Sequence, residues 1–134
     1  IMASILKVDD LRGNTAAGDI TITSEGGSAT MQLQQGVAKA WFHYDGSGTT
    51  FADSFNGASA TDDGTGTYTM TFTSAMSNAN YAVTVSDDDG GTTRAFTHAK
   101  TYATDSFSTR SSRGDTGANT DKTTVATAVH GDLA

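Results

Sequence analysis

Three groups of residues carry side chains that could do chemistry. The run Asp87-Asp88-Asp89-Gly90 offers hard oxygen ligands of the kind Ca²⁺ takes. It lacks the spacing and the distal glutamate of an EF-hand loop, so it reads as a solvated acidic hairpin tip, as does Asp62-Asp63. His43, His98 and His130 could ring the axis of an oligomer as metal ligands, but no His-x-His spacing supports that. Arg113-Gly114-Asp115 is an integrin-type tripeptide, and in a short acidic chain it reads as chance within a polar loop. No serine or aspartate sits in a nucleophile motif. No glycine-rich phosphate loop follows a strand and opens a helix. Enzymatic activity is therefore not expected, and neither a cofactor nor a metal is implied.

These residues need a scaffold, and the scaffold reads as β-structure throughout. In Thr67-Tyr-Thr-Met-Thr-Phe-Thr73, apolar residues alternate with threonine. Side chains alternate faces along a strand, so Tyr68, Met70 and Phe72 face a core and the threonines face outward. The same pattern predicts strands near 39–44, 50–56, 80–86, 93–99, 103–109 and 123–130. Asp45-Gly46, Asn56-Gly57, Asp63-Gly64-Thr65-Gly66, Asp89-Gly90-Gly91 and Arg113-Gly114 supply turn chemistry between them, since Asp-Gly and Asn-Gly tolerate positive φ. The polar run 110–122 reads as an exposed loop. Many short strands joined this way predict an antiparallel sandwich of jelly-roll type. Within Trp41-Phe42-His43-Tyr44, alternate members of a core strand face in and out, which is the commoner fate of aromatics than a sugar-binding surface.

Composition limits the possibilities further. Among 134 residues there are 24 threonines, 13 serines and 15 glycines, with 36% hydrophobic residues. That leaves a thin core, and thin-cored β proteins gain stability from oligomerisation. There is no cysteine, hence no disulfide or thiolate site. No apolar run is long enough to span a membrane as a helix, and the first residues lack the charged and apolar regions of a signal peptide. A net charge of −7 argues against nucleic acid as a partner, because phosphate repels such a surface.

The first third differs from the rest. Short extended pieces at 6–11, 20–23 and 29–34 are separated by glycine turns, and almost no aromatic residue precedes Trp41. Such a segment cannot build its own core. It suits winding with other copies of itself or docking on something larger, through Leu6, Val8, Leu11, Ile20, Ile22, Met31 and Leu33.

Several blocks together resemble a known pattern. Met2-Ala-Ser-Ile-Leu-Lys-Val-Asp-Asp-Leu11 followed by Gly18-Asp-Ile-Thr-Ile-Thr23 is similar to the opening of tail-fibre-like virion proteins of marine, cyanophage-type bacteriophages. Lys39-Ala-Trp-Phe-His-Tyr-Asp-Gly-Ser-Gly-Thr49, Asp53-Ser-Phe-Asn56, Thr61-Asp-Asp-Gly-Thr-Gly-Thr-Tyr-Thr69 and Ser74-Ala-Met-Ser-Asn-Ala-Asn-Tyr81 resemble the blocks that follow in those proteins. The resemblance covers residues 2–86 and the ending Val129-His-Gly-Asp-Leu-Ala134. It implies a homotrimeric virion protein, with an attachment and trimerisation segment at 1–38 and a β-sandwich head at 39–134. Loop tips at Asp87, Asp88, Asp89, Arg113, Asp115 and Asn119 would then contact a host-surface glycan or protein, since loops on rigid scaffolds commonly carry binding. A capsid decoration, head-fibre or tail-assembly protein without a receptor is the alternative reading.

Overall fold

A computed structural model describes residues 5–16, 20–46, 50–88 and 95–134. The chain divides into two compact units, Ile1–Val37 and Ala38–Ala134. Asp89 and the Asp89-Gly90-Gly91 turn lie outside the described residues.

The first unit holds one antiparallel hairpin, β1 (Thr21–Thr23) with β2 (Thr30–Gln32), with Ile22 opposite Met31. Its turn is closed by bonds from Ser24 N to Ala29 O and from Gly27 N to Ser24 O, both 2.8 Å. A single helical turn, α1 (Leu33–Gly36), follows. The extended piece expected over 29–34 therefore ends at Gln32, and Leu33 and Gln34 belong to the helix. No described residue of this unit is buried. Leu6, Val8, Leu11, Ile22 and Met31 are exposed, while Ile20 and Leu33 are half-buried. A lone two-stranded hairpin without a core is marginal in water.

The second unit is built from β3 (Ala40–Tyr44), β4 (Phe51–Phe55), β5 (Gly57–Gly64), β6 (Thr67–Phe72), β7 (Ala82–Asp87), β8 (Ala95–Tyr102), β9 (Ser106–Arg113) and β10 (Val125–His130). They form two four-stranded antiparallel sheets, β4-β3-β10-β7 and β5-β6-β9-β8. Period-2 alternation sets the inner faces. Ala40, Phe42 and Tyr44 of β3 and Val125, Thr127 and Val129 of β10 face inward from the first sheet. Tyr68, Met70 and Phe72 of β6 and Phe107, Thr109 and Ser111 of β9 face inward from the second. All twelve are buried, and together with Met76 and Tyr81 they make one shared core.

The sheets meet through aromatic rings. Phe42 of the first sheet lies 5.9 Å from Phe72 and 5.7 Å from Phe107 of the second, centroid to centroid. Tyr44 stands 5.6 Å from Tyr68, and its hydroxyl shares a 2.7 Å hydrogen bond with Thr109 Oγ1. That bond crosses the sandwich and gives the buried phenol a partner. Burial pushes the Tyr44 hydroxyl up to about 12, although the Thr109 bond pulls the other way.

Seven of the eight strands fall where alternation places them, with shifted ends. β8 runs on to Tyr102 and β9 begins only at Ser106, so the expected 103–109 strand starts three residues late and continues to Arg113. β5 was not expected. Its ends, Asn56-Gly57 and Asp63-Gly64, read as two turns, and the stretch between them lacks large apolar residues. Asn56 is the informative case, because it is not the tip of a tight hairpin. It has φ 57° and sits between strands of different sheets. Its side chain donates to the carbonyls of Lys39 (3.1 Å) and Ser74 (3.0 Å) and accepts from Ser74 N (2.6 Å). It thus turns the chain from one sheet to the other and clamps two neighbouring segments. In a jelly roll nearly every connection crosses between sheets. Here β3–β4, β5–β6 and β8–β9 are hairpins within a sheet.

Candidate functional site

The registers give the sandwich two distinct ends. Tyr44, Asp87 and Val125 align at one end of the first sheet, and Gly64, Thr67, Ala95 and Arg113 at the matching end of the second. The chain enters at the opposite end, where Lys39 N bonds Val129 O at 2.7 Å. The C-terminal residues return to that entry end, with Ser77 N on Asp132 O at 2.8 Å and Ala134 N on Ala75 O at 3.0 Å. The residues expected at loop tips, Asp87, Asp88, Arg113, Asp115 and Asn119, therefore share the far end, although they come from two segments.

Several of these residues brace the end rather than point freely from it. The Thr97 hydroxyl donates to Asp87 and shares a 2.6 Å bond with the Ser111 hydroxyl. Asp88 accepts from Thr124 N at 3.2 Å, and its carbonyl accepts from Lys122 Nζ at 2.9 Å. Asn119 accepts from Arg110 Nε at 2.8 Å. Arg113 and Asp115 face each other at 3.3 Å across a tight turn, in which Arg113 N bonds Ala118 O and Gly117 N bonds Arg113 O, both at 2.8 Å. The Arg113 guanidinium holds the Asp115 carboxyl below its ordinary value.

The run 110–122 is thus not a plain exposed loop. Its first residues belong to β9, Asn119 bridges back to Ser112, and its last residues are locked down. Asp121 Oδ1 accepts from Gly66 N at 2.6 Å and from the Tyr68 hydroxyl at 2.7 Å. Gly66 has φ 67°, and a Cβ there would stand 2.6 Å from Ser111 O and 2.7 Å from Thr120 O. The glycine allows the β5–β6 turn and the 110–122 segment to pack backbone to backbone. Lys122 is buried over Gly46, where a Cβ would overlap the Lys122 carbonyl oxygen. Asp121 and Lys122 went unremarked in the sequence because their partners are 34–55 residues distant.

The histidines are kept apart. His43 and His130 are on the outer face of the first sheet, and His98 is on the outer face of the second. Among the described residues no group of three or more His, Asp or Glu is placed to hold a metal ion. No helix among them is long and apolar enough to cross a membrane.

Both outer faces are uneven in character. On the first sheet Trp41 stands directly opposite Phe55, and the two are 37% and 53% exposed, with Ala126 and Ala128 beside them. Of the aromatic run, Phe42 and Tyr44 are core and Trp41 is surface. On the second sheet Thr67, Thr69 and Thr71 form a hydroxyl-bearing wall, and Thr69 Oγ1 donates to Asp63 at 2.5 Å. No protein-family model, curated protein or solved structure matches the chain.

Proposed function

We propose that this chain is a non-enzymatic virion structural protein of tail-fibre type. It assembles as a homotrimer through residues 1–38, docks there on other virion proteins, and presents the loop end of its second unit to a host-surface glycan or protein. The observation that carries this reading is the polarity of the second unit. Chain entry and C-terminus share one end of the sandwich, and Asp87, Asp88, Arg113, Asp115 and Asn119 share the other. A domain held at one end and recognising at the other has this layout, and loops on a rigid sandwich suit recognition. Three weak sites on one fibre, repeated over several fibres, give useful avidity without a deep pocket.

The trimer is supported by the first unit. Leu6, Val8, Leu11, Ile22 and Met31 are apolar and exposed in a single copy, and other copies would cover them. Sedimentation or light scattering should give three times the chain mass for the whole protein, and one chain mass after removal of residues 1–37. A monodisperse monomer of the whole chain would refute assembly. A truncated form that remains trimeric would move the interface to the second unit, with the Trp41–Phe55 face as its apolar candidate.

A purely structural role, as a capsid decoration, head-fibre or tail-assembly protein, is favoured by one observation: Asp87 and Asp88 are spent on bracing the fold. Gold-labelled antibody against the second unit, imaged on intact particles, separates the two readings. Label at the tail supports recognition. Label on capsid vertices or capsomer centres would sink it.

A further inference from the structure

Two cations of the second unit stand together on one face. The described Lys and Arg residues of this unit are Lys39, Lys100, Arg110, Arg113 and Lys122. Lys39 and Lys122 are 6% exposed, and Arg113 is paired with Asp115. That leaves Lys100 and Arg110. They are on adjacent strands, β8 and β9, and on the same outer face, because Thr97 and Ala99 of β8 and Thr109 and Ser111 of β9 point inward. His98 is directly opposite Arg110, and Lys100 is two residues further along the same face of β8. Directly opposed side chains start about 5 Å apart, so these three basic groups form one stripe.

The surroundings of the stripe are equally specific. Phe96, opposite Ser112, continues the same face and is 67% exposed. The outward residues of β9 and β6 beside it include Ser106, Ser112, Thr67, Thr69 and Thr71, while Ser108 is buried beneath the strand's outer face with its hydroxyl on the Lys100 carbonyl. No carboxylate stands on the outward positions of these three strands in a chain with 15 acidic residues. The nearest are Asp105, which precedes β9 and accepts from the Ser106 hydroxyl at 2.9 Å, and Asp63 on β5, which is bonded to Thr69. Asn119 holds one of the five guanidinium donors of Arg110, which fixes the group while leaving others for a ligand.

We propose that this face of β8 and β9 binds an acidic polysaccharide, with a carboxylate or sulfate on Arg110, Lys100 and His98 and a sugar ring against Phe96. A guanidinium takes an oxyanion in a bidentate bond, an exposed aromatic ring covers sugar C–H groups, and the hydroxyl wall offers partners for sugar hydroxyls. The charge argument sets the class. A net charge of −7 disfavours polyanions on the chain as a whole, and on this face Arg110, Lys100 and His98 stand together with no carboxylate on the outward positions of β6, β8 and β9. The proposal rests on the recognition reading for its biological purpose and on this face alone for its chemistry. It adds a binding surface on the side wall to the one at the loop tips.

The test uses the whole chain and four probes in low-salt buffer: polygalacturonate, dextran sulfate, neutral dextran and single-stranded DNA. Binding to one or both acidic polymers, with none to dextran, is expected. Arg110→Gln with Lys100→Gln should weaken it at least about tenfold, as loss of charge-assisted bonds does. Phe96→Ala should weaken it about threefold or more. The charge-matched change Lys7→Gln with Arg12→Gln, in the first unit, should leave it unaltered. These are surface positions, and circular dichroism checks the fold. No binding to either acidic polymer overturns the proposal. Equal loss in the first-unit control overturns it, and so does DNA bound as tightly as the sugars, which would make the face a general polyanion strip. Tail label without polysaccharide binding removes this proposal and leaves the recognition reading. Polysaccharide binding with capsid label does the reverse.

Discussion

Phe42→Ala should cost the second unit about 3–5 kcal/mol, the usual range for truncating a buried phenylalanine. For a small domain with a typical stability of about 5–15 kcal/mol, that is a large share of the whole. Phe42 is 1% exposed, and its ring is within 5.4 Å of Phe51, 5.9 Å of Phe72 and 5.7 Å of Phe107. Two of those neighbours belong to the opposite sheet, so the cavity would open where the sheets meet. Trp41, one residue earlier and larger, points outward at 37% exposure and stands opposite Phe55 in the strand register. Trp41→Ala should cost about 1 kcal/mol, the usual size for a point substitution, because the side chain is only partly covered. Urea unfolding of both variants at one fixed protein concentration checks the contrast, since assembly would couple stability to concentration. Equal losses would mean that Trp41 is covered by something, and the outer face of the first sheet would then be an interface.

The Phe42–Trp41 contrast was legible in the sequence, because alternation in Ala-Trp-Phe-His-Tyr sorts neighbours onto opposite faces. The same rule placed Tyr68, Met70 and Phe72 inside. It failed at β5, where Gly-Ala-Ser-Ala-Thr-Asp has no large apolar residue to reveal a period and Asn-Gly and Asp-Gly imitate hairpin tips. Burial of β5 is slight, so little in its composition had to be apolar. Turn chemistry reported where the chain bends but not between which sheets it bends, and Asn56 shows the difference. The candidate site was legible only as separate polar loops. That Asp87 and Arg113 share an end depends on strand pairing, and pairing is non-local. Phe96, His98 and Lys100 are spaced two apart in a segment already read as a strand. Their common face was available from the sequence, but Arg110 joins them only through the β8–β9 register.

Asp121 is expected to be the most costly single polar residue to lose at the loop end. Asp121→Ala should destabilise the second unit by about 2–3 kcal/mol, because it strips a charged acceptor from two donors, Gly66 N and the Tyr68 hydroxyl. The Tyr68 side chain is 1% exposed, so its hydroxyl would lose its described partner with little access to water. Tyr68→Phe removes the donor as well as the need for an acceptor and should cost about 1 kcal/mol. A double-mutant cycle should return a coupling of about 1–2 kcal/mol, and additivity would mean that the bond does not hold the loop. The pH dependence gives a second, independent reading. Burial raises the Tyr68 hydroxyl well above its ordinary value of 10.0, and the bond to the Asp121 carboxylate and its charge raise it further. A group whose folded value is raised contributes stability that is complete below the unfolded value and declines above it, because the unfolded chain releases the proton first. Stability of the native protein should therefore hold up to about pH 10 and fall beyond it, with Tyr44 and Tyr81, each pushed up to about 12 by burial, adding to the decline. Asp121→Asn keeps an acceptor but removes the charge. It should be less stable than the native protein at neutral pH and lose less on going above pH 10, so the gap between the two narrows as the solution becomes alkaline. Tyrosinate absorbance and urea midpoints across that range check it, and a constant or widening gap would detach Tyr68 from Asp121 in solution.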